Sequence, residues 1–225
     1  MIDLLLSPIA PHICCGCAKS GAILCDSCRH DITSDDFGRC IWCLKIGHLS
    51  HQCTSCQNKI GTQAAWAVSE RSGVLKQALN DYKFESRREG AWDLARLLDA
   101  TLPRLSESTV VSWVPTAPAH IRTRGFDHAA LLAKHFARLR GLRAMPLLIR
   151  KQHSLSQHEL SRTARLKAAN EAFGVDTGTP LPDSVLIIDD ILTTGATLEA
   201  CVKLLKQAGV NEVCVAVVAR QPLDE

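Results

Sequence analysis

Aromatic side chains are scarce: 4% of the 225 residues, with four tryptophans, five phenylalanines and one tyrosine. Proteins that hold single-stranded nucleic acid by base stacking present aromatic platforms, so that mode of binding has little to draw on here. No apolar run approaches the roughly 20 residues of a spanning helix, so no membrane span is expected. The opening MIDLLLSPIAPHICC lacks the basic start of an export signal and reads as a short packing segment. Net charge is only +3, so gross charge points to no partner. With 46% apolar and 22% charged residues the chain has the make-up of an ordinary soluble globular protein of one or two domains.

Acidic residues are few in the middle of the chain. Pro115 to Asn170 carries eleven Lys/Arg against two acids, Asp127 and Glu159. Such a stretch suits a phosphate-rich ligand or nucleic acid, with a solvated helix face taking a share of the charge.

Cysteine is abundant instead. Nine of the eleven lie between Cys14 and Cys56. A disulfide framework belongs to secreted proteins, and without an export signal metal binding explains the pattern better. Four C-x-x-C pairs occur: Cys14/Cys17, Cys25/Cys28, Cys40/Cys43 and Cys53/Cys56. Each can aim two thiolates at one ion, and two pairs complete a tetrahedral site, so eight thiolates support two structural zinc ions. Seven residues separate the knuckles of the first half and nine those of the second. This similarity favours a duplicated ribbon with sequential sites, although interleaved pairing fits the spacing too. Cys15 is left over and could replace Cys14. So short a segment buries little core, so metal would supply its folding energy. Residues 1–60 hold five acids and five Lys/Arg, which argues against a nucleic-acid-binding finger.

A second module, 61–225, reads as strands alternating with helices, hence a mainly parallel sheet flanked by helices. Strands are expected at Ala64–Ser69, Thr109–Val114, Met145–Ile149, Phe173–Val175 and Glu212–Ala219, and helices at Gly73–Phe84, about Glu89–Leu102 and Ala129–Leu139. The polar, basic stretch Arg150 to Asn170 reads as a long functional loop. Tyr82–Lys83–Phe84 is a candidate ligand-side element.

The stretch Val185 to Thr197, VLIIDDILTTGAT, organises this module. An apolar run of the kind found in buried parallel strands ends in Asp189 and Asp190. A short loop, Ile191 to Ala196, leads to an amphipathic helix beginning near Thr197. Backbone N–H groups and hydroxyls at a helix start make an anion site. Two adjacent carboxylates suit sugar hydroxyls or hydrated Mg²⁺. The rival readings are a plain capped helix start and a response-regulator acidic pocket, which would not be expected to carry TTGAT.

This stretch resembles the signature of the type I phosphoribosyltransferases. The whole chain resembles the ComF family of competence proteins, which couple a double zinc ribbon to such a domain. The likeness rests on the four C-x-x-C pairs, Val114–Pro115, Arg124–Gly125–Phe126, Arg165 to Asn170 and Val185 to Thr197. Where the family commonly has VPVPL, RGFNQ and Thr-x-x-Gln, this chain has Val114–Pro115–Thr116–Ala117–Pro118, Arg124–Gly125–Phe126–Asp127–His128 and Ser154–Leu155–Ser156–Gln157.

The resemblance implies a catalytic pair, Asp189 and Asp190, at the ribose hydroxyls of phosphoribosyl pyrophosphate (PRPP), with Mg²⁺ nearby. It implies a 5-phosphate loop of Thr193, Thr194, Gly195, Ala196 and Thr197. A pyrophosphate edge would be built from Pro115, Thr116 and Ala117, with Arg124, Arg162 and Arg165 as further ligand-side cations. It also implies a cytoplasmic role in DNA uptake, with single-stranded DNA and competence-machinery proteins as partners. Phosphoribosyl transfer requires no protein nucleophile, so the same residues fit an enzyme with an unknown acceptor. They fit equally a non-catalytic module that senses PRPP or a nucleotide, or handles single-stranded DNA.

Overall fold

The structure, a computed structural model, describes residues 12–34, 37–46, 52–84, 88–151, 172–178 and 180–222. Its strands are β1 (Ala64–Glu70), β2 (Val110–Trp113), β3 (Arg143–Ala144), β4 (Leu148–Arg150), β5 (Phe173–Val175), β6 (Ser184–Leu192) and β7 (Glu212–Arg220). Five of them form one sheet in the order β1-β7-β6-β2-β3, every neighbouring pair parallel. The apolar runs that fill β6 and β7 are what a sheet covered on both faces demands.

Alternation along the strands sorts the core into two layers. Leu186, Ile188, Ala216 and Val218 face one layer, with α3 (Gly73–Phe84), α4 (Gly90–Thr101) and α6 (His128–Arg140). Val185, Ile187, Val215 and Val217 face the other, with α2 (Thr54–Ile60) and α7 (Ala196–Gln207). The remaining helices are α1 (Asp26–Ser34) and α5 (Pro118–Arg124).

The cysteine-rich segment splits across these layers. Cys14, Ile23, Leu24 and Cys28 join the α3/α4/α6 layer. Phe37, Cys40, Ile41, Trp42 and Cys53 join the α2/α7 layer. The two halves repeat one backbone pattern. Ala18 and Leu44, each following the second cysteine of a knuckle, are left-handed at φ 59° and 60°. Their N–H groups donate to Cys14 O and Cys40 O, while Cys14 N and Cys40 N donate to Lys19 O and Lys45 O. Isolated bridges Ile13↔Ser20 and Arg39↔Ile46 close both ribbons. The duplication expected from the spacing is therefore present.

Two local expectations need correction. The strand expected over Met145–Ile149 is broken at Pro146, which has no N–H for the ladder. The chain leaves the main sheet after Ala144, and Leu148–Arg150 pairs antiparallel with Phe173–Val175. The loop expected from Ile191 is still strand at Ile191 and Leu192, which pair with Ala219 and Arg220. The segment after Pro118, to which the sequence pattern assigns no element, is helix α5, with Pro118 in its first turn, where a missing N–H costs nothing. The loop expected over Arg150–Asn170 lies outside the described residues from position 152 onward.

Candidate functional site

The site forms where β2 and β6 end side by side. Trp113 is in register with Ile188, and Val114 N donates to Ile188 O at 3.2 Å. Pro115 to Ala117 therefore leave the sheet beside Asp189 and Asp190. After β2 the chain passes through α5 to α6 on one face; after β6 it enters α7 on the other. Connections that diverge to opposite faces open a crevice at the carboxyl ends of a parallel sheet, the ordinary ligand position in such folds.

Strand alternation turns the two acids toward different layers, while one carboxylate oxygen of each stays within 4.8 Å of the other and of a His128 ring nitrogen. Asp190 follows Ile188 onto the α3/α6 face. Its Oδ2 lies 2.8 Å from Lys83 Nζ and 2.9 Å from His128 Nε2. Burial pushes this carboxyl up, but Lys83 and His128 overturn the effect and hold it well below the usual carboxylate range. Asp189 follows Ile187 onto the α7 face. Burial, and then the charge of Asp190, push it up to about 7. Its Oδ1 accepts the Asp190 backbone N–H at 2.9 Å. The adjacent acids thus carry different charge: one committed to an ion-pair network, the other poised between protonation states.

Asp189 borders a cavity of about 180 Å³ together with Thr193, Gly195 and Thr197. Gly195 is left-handed (φ 83°) and precedes α7, whose first residue is Ala196. A side chain there would be strained. Ala196 N donates to Thr194 Oγ1 at 3.5 Å. Threonine hydroxyls and the start of a twelve-residue helix converge on a pocket that a carboxylate also lines.

On the β2 side, Thr116 Oγ1 donates to Asp127 Oδ1 at 2.8 Å, and Asp127 also accepts Ala130 N to cap α6. That cap points His128 at Asp190. Arg124 Nη1 lies 3.0 Å from His128 Nδ1, and the buried Tyr82 hydroxyl donates to His128 O at 2.7 Å. Burial, then Arg124, Arg150, His128 and Lys83, lower the His120 pKa. The ligand edge is accordingly cationic.

Eight cysteines gather into two four-thiol clusters, Cys14/Cys17/Cys25/Cys28 and Cys40/Cys43/Cys53/Cys56, each with all sulfurs within 4.8 Å of one another. The pairing is sequential. Cys17–Cys25 and Cys43–Cys53 sulfurs are 3.5 and 3.7 Å apart. A tetrahedral ion with bonds of about 2.3 Å spaces its thiolates by about 3.8 Å, so both clusters fit zinc and leave no open position. Cys15 stays outside, its Sγ donating to Asp81 at 3.4 Å. The Cys14 pKa is subject to burial, which raises it, but amide donors from Cys25, Cys17 and Gly16 bring it down to about 6.

Among the expected site residues, Asp189, Thr193, Gly195 and Thr197 line one cavity, Arg124 reaches Asp190 through His128, and Pro115 to Ala117 leave the neighbouring strand end, Thr116 bonding Asp127. Arg162 and Arg165 lie outside the described residues. His128 had no assigned role in the sequence reading, and Lys83 only a place in a ligand-side element. The signal for Lys83 was its position at the end of an amphipathic helix; nothing in the residues alone placed His128 on Asp190.

A parallel sheet with a strand-end acid pair and a helix-start loop defines a phosphoribosyltransferase-type domain. Residues 121–225 match the family model for the phosphoribosyl transferase domain. Across the longer chain, competence protein ComFC of Streptococcus pneumoniae is 30% identical over 197 residues, covering 84% of both chains. Competence protein F of Haemophilus influenzae is 26% identical over 216 residues, covering 90% of this chain and 92% of that protein. DNA utilization protein YhgH of Salmonella typhi is 29% identical over 219 residues, covering 85% and 94%. The chain belongs to the ComF family of competence proteins, with two four-cysteine clusters ahead of a phosphoribosyltransferase-type domain.

Proposed function

We propose that this chain binds PRPP with Mg²⁺ at Asp189, Asp190 and the Thr193–Thr197 loop, and acts in DNA uptake in the cytoplasm. Residues 1–60 would be the zinc-held module and 61–225 the ligand-binding domain. The observation that carries the reading is that Asp189 lines the same cavity as Thr193, Gly195 and Thr197. That spacing suits a sugar whose hydroxyls meet the acid and whose 5-phosphate meets the amides. Mg²⁺ takes oxygen ligands and keeps several waters, so Asp189 and the ligand's own oxygens suit it, while Asp190 is already engaged by Lys83 and His128. Mg²⁺ would supply charge neutralisation on the pyrophosphate.

The chain's own residues orient and polarise. Arg124, His120 and Arg150 would draw off the pyrophosphate's developing charge. The acids fix the ribose as its C1–O bond breaks, the electron pair leaving with pyrophosphate and an acceptor nucleophile adding at C1. Positioning of this kind supplies much of the rate in such displacements. The acceptor class is open, and the names of the competence relatives favour a second reading. In it the same pocket senses PRPP or a nucleotide while the basic mid-chain handles single-stranded DNA.

Calorimetry of Mg²⁺–PRPP against wild type and Asp189→Asn tests the site. Binding by wild type that is lost in the variant supports it; no binding, or equal binding, removes it. Pyrophosphate release against a panel of acceptors separates transfer from sensing. Two further family expectations, partner proteins of the uptake machinery and single-stranded DNA, are tested by binding across salt, since phosphate contacts give a steep salt slope.

A further inference from the structure

The second ribbon is built into the loop just described, and the first is not. Trp42 lies between the ligand-type residues Cys40 and Cys43 and is 8% exposed. A Cβ at Gly195 would stand 3.3 and 3.5 Å from its ring carbons, so the indole forms the floor under the loop's turn. Arg220 ends β7 with 1% exposure. Its Nε donates to Ile41 O at 2.6 Å, inside the same knuckle. Its Nη1 donates to Leu192 O at 3.0 Å and Thr193 O at 2.5 Å, at the start of the loop. One guanidinium thus ties the metal knuckle to the loop.

The geometry has a directional consequence. The described backbone contains no cis peptide, and a trans peptide points its N–H opposite to its C=O. Holding the Leu192 and Thr193 carbonyls on Arg220 therefore turns the N–H groups of Thr193 and Thr194 away from it. A buried guanidinium satisfied by carbonyls also keeps its charge beneath an anion bound at the loop, where salt screens it weakly. The first ribbon is anchored elsewhere: Ile23 N and Leu24 N donate to Asp93 Oδ2 at 3.0 and 3.1 Å, and Arg29 pairs with Asp93 at 3.1 Å, on α4.

We propose that Arg220 and Trp42 are positioning residues for the phosphate loop, and that metal at Cys40/Cys43/Cys53/Cys56 is coupled through them to anion binding at Thr193–Thr197. This rests on reading that loop as the 5-phosphate cradle. The coupling is reciprocal: a phosphate ligand tightens metal at the second cluster and leaves the first unchanged.

The test compares full-length Cys43→Ser with Cys17→Ser, each missing one thiolate of one cluster, with metal content measured on both. Hydrogen exchange at amides 193–197 reads the loop without ligand, and calorimetry reads Mg²⁺–PRPP. Cys43→Ser should speed exchange there and weaken PRPP about 10-fold or more, within the usual range of coupling between sites. Cys17→Ser should do neither. Should Cys43→Ser not fold, Trp42→Phe and Arg220→Lys carry the test with both metals in place. Each should weaken PRPP while retaining zinc, and wild-type Trp emission should respond to PRPP in a way that Trp42→Phe abolishes. Equal exchange and equal affinity in the two cysteine variants overturn the coupling, as does unchanged PRPP affinity in both Trp42→Phe and Arg220→Lys. If wild type takes up no PRPP but exchange still responds to Cys43→Ser alone, the coupling stands and the phosphoribosyl reading falls.

Discussion

Lys83 Nζ lies 2.8 Å from Asp190 Oδ2, with the two side chains 15% and 4% exposed. An ion pair so far out of water resists loss of either partner, because the remaining charge is stranded. Lys83→Met should cost about 3 kcal/mol in denaturant unfolding at neutral pH. His128, the second partner of Asp190, keeps the loss from being larger. Adding Asp190→Asn should recover much of it, and a double-mutant cycle that shows simple additivity would remove the pair from the account.

Asp189 makes the opposite prediction with pH. Its folded pKa is raised to about 7 from 3.8. A carboxyl raised on folding contributes stability while protonated, present in full below about pH 4 and lost as pH rises through 7. Asp189→Asn should therefore melt higher than wild type at pH 8 and show no advantage at pH 4, while Mg²⁺–PRPP binding is lost. A stability gain bought with lost binding is the usual signature of a functional carboxylate. Melting curves across that window check the sign.

The clusters predict about two zinc ions per chain, on four thiolates each. Cys15→Ser should retain both, since the Cys15 thiol donates to Asp81 and stands apart from the cluster. Elemental analysis of the two proteins decides it, and removal of metal by a chelator should unfold the ribbons.

How much of this was legible beforehand follows from the kind of interaction involved. The strand and helix pattern and the C-x-x-C pairs are local, repeating features, so β6, β7 and both clusters could be read from residue order. The similar spacing of the two halves also favours sequential pairing, which the clusters bear out, although interleaved pairing satisfies the same spacing. The Asp190 network joins Lys83 and His128, both distant in the chain, and only the parity of β6 shows that Asp190 and Asp189 face different layers. Arg220 lies 179 positions from its partner Ile41 and falls just past the apolar strand expected over Glu212–Ala219, which in the structure extends to include it. The break at Pro146 was visible as a residue type but was outweighed by its apolar neighbours.

Gly195 offers the sharpest test of the loop itself. It is left-handed at φ 83°, and a Cβ would press within 3.3 Å of Trp42. Placing an L side chain in that region costs roughly 1 kcal/mol, and the indole cannot retreat into a packed core without further loss. Gly195→Ala should therefore lower stability by about 1–3 kcal/mol, the range for overpacking. It should weaken PRPP more than Thr194→Ala does, because Gly195 lines the Asp189 cavity and shapes the turn. Pairing Gly195→Ala with Trp42→Leu, which opens space beneath the turn, should relieve the clash but leave the backbone strain. Partial recovery of stability in that double variant, read by denaturant unfolding, is the expected outcome. Full recovery would show that contact alone, with no conformational demand at Gly195, sets the loop.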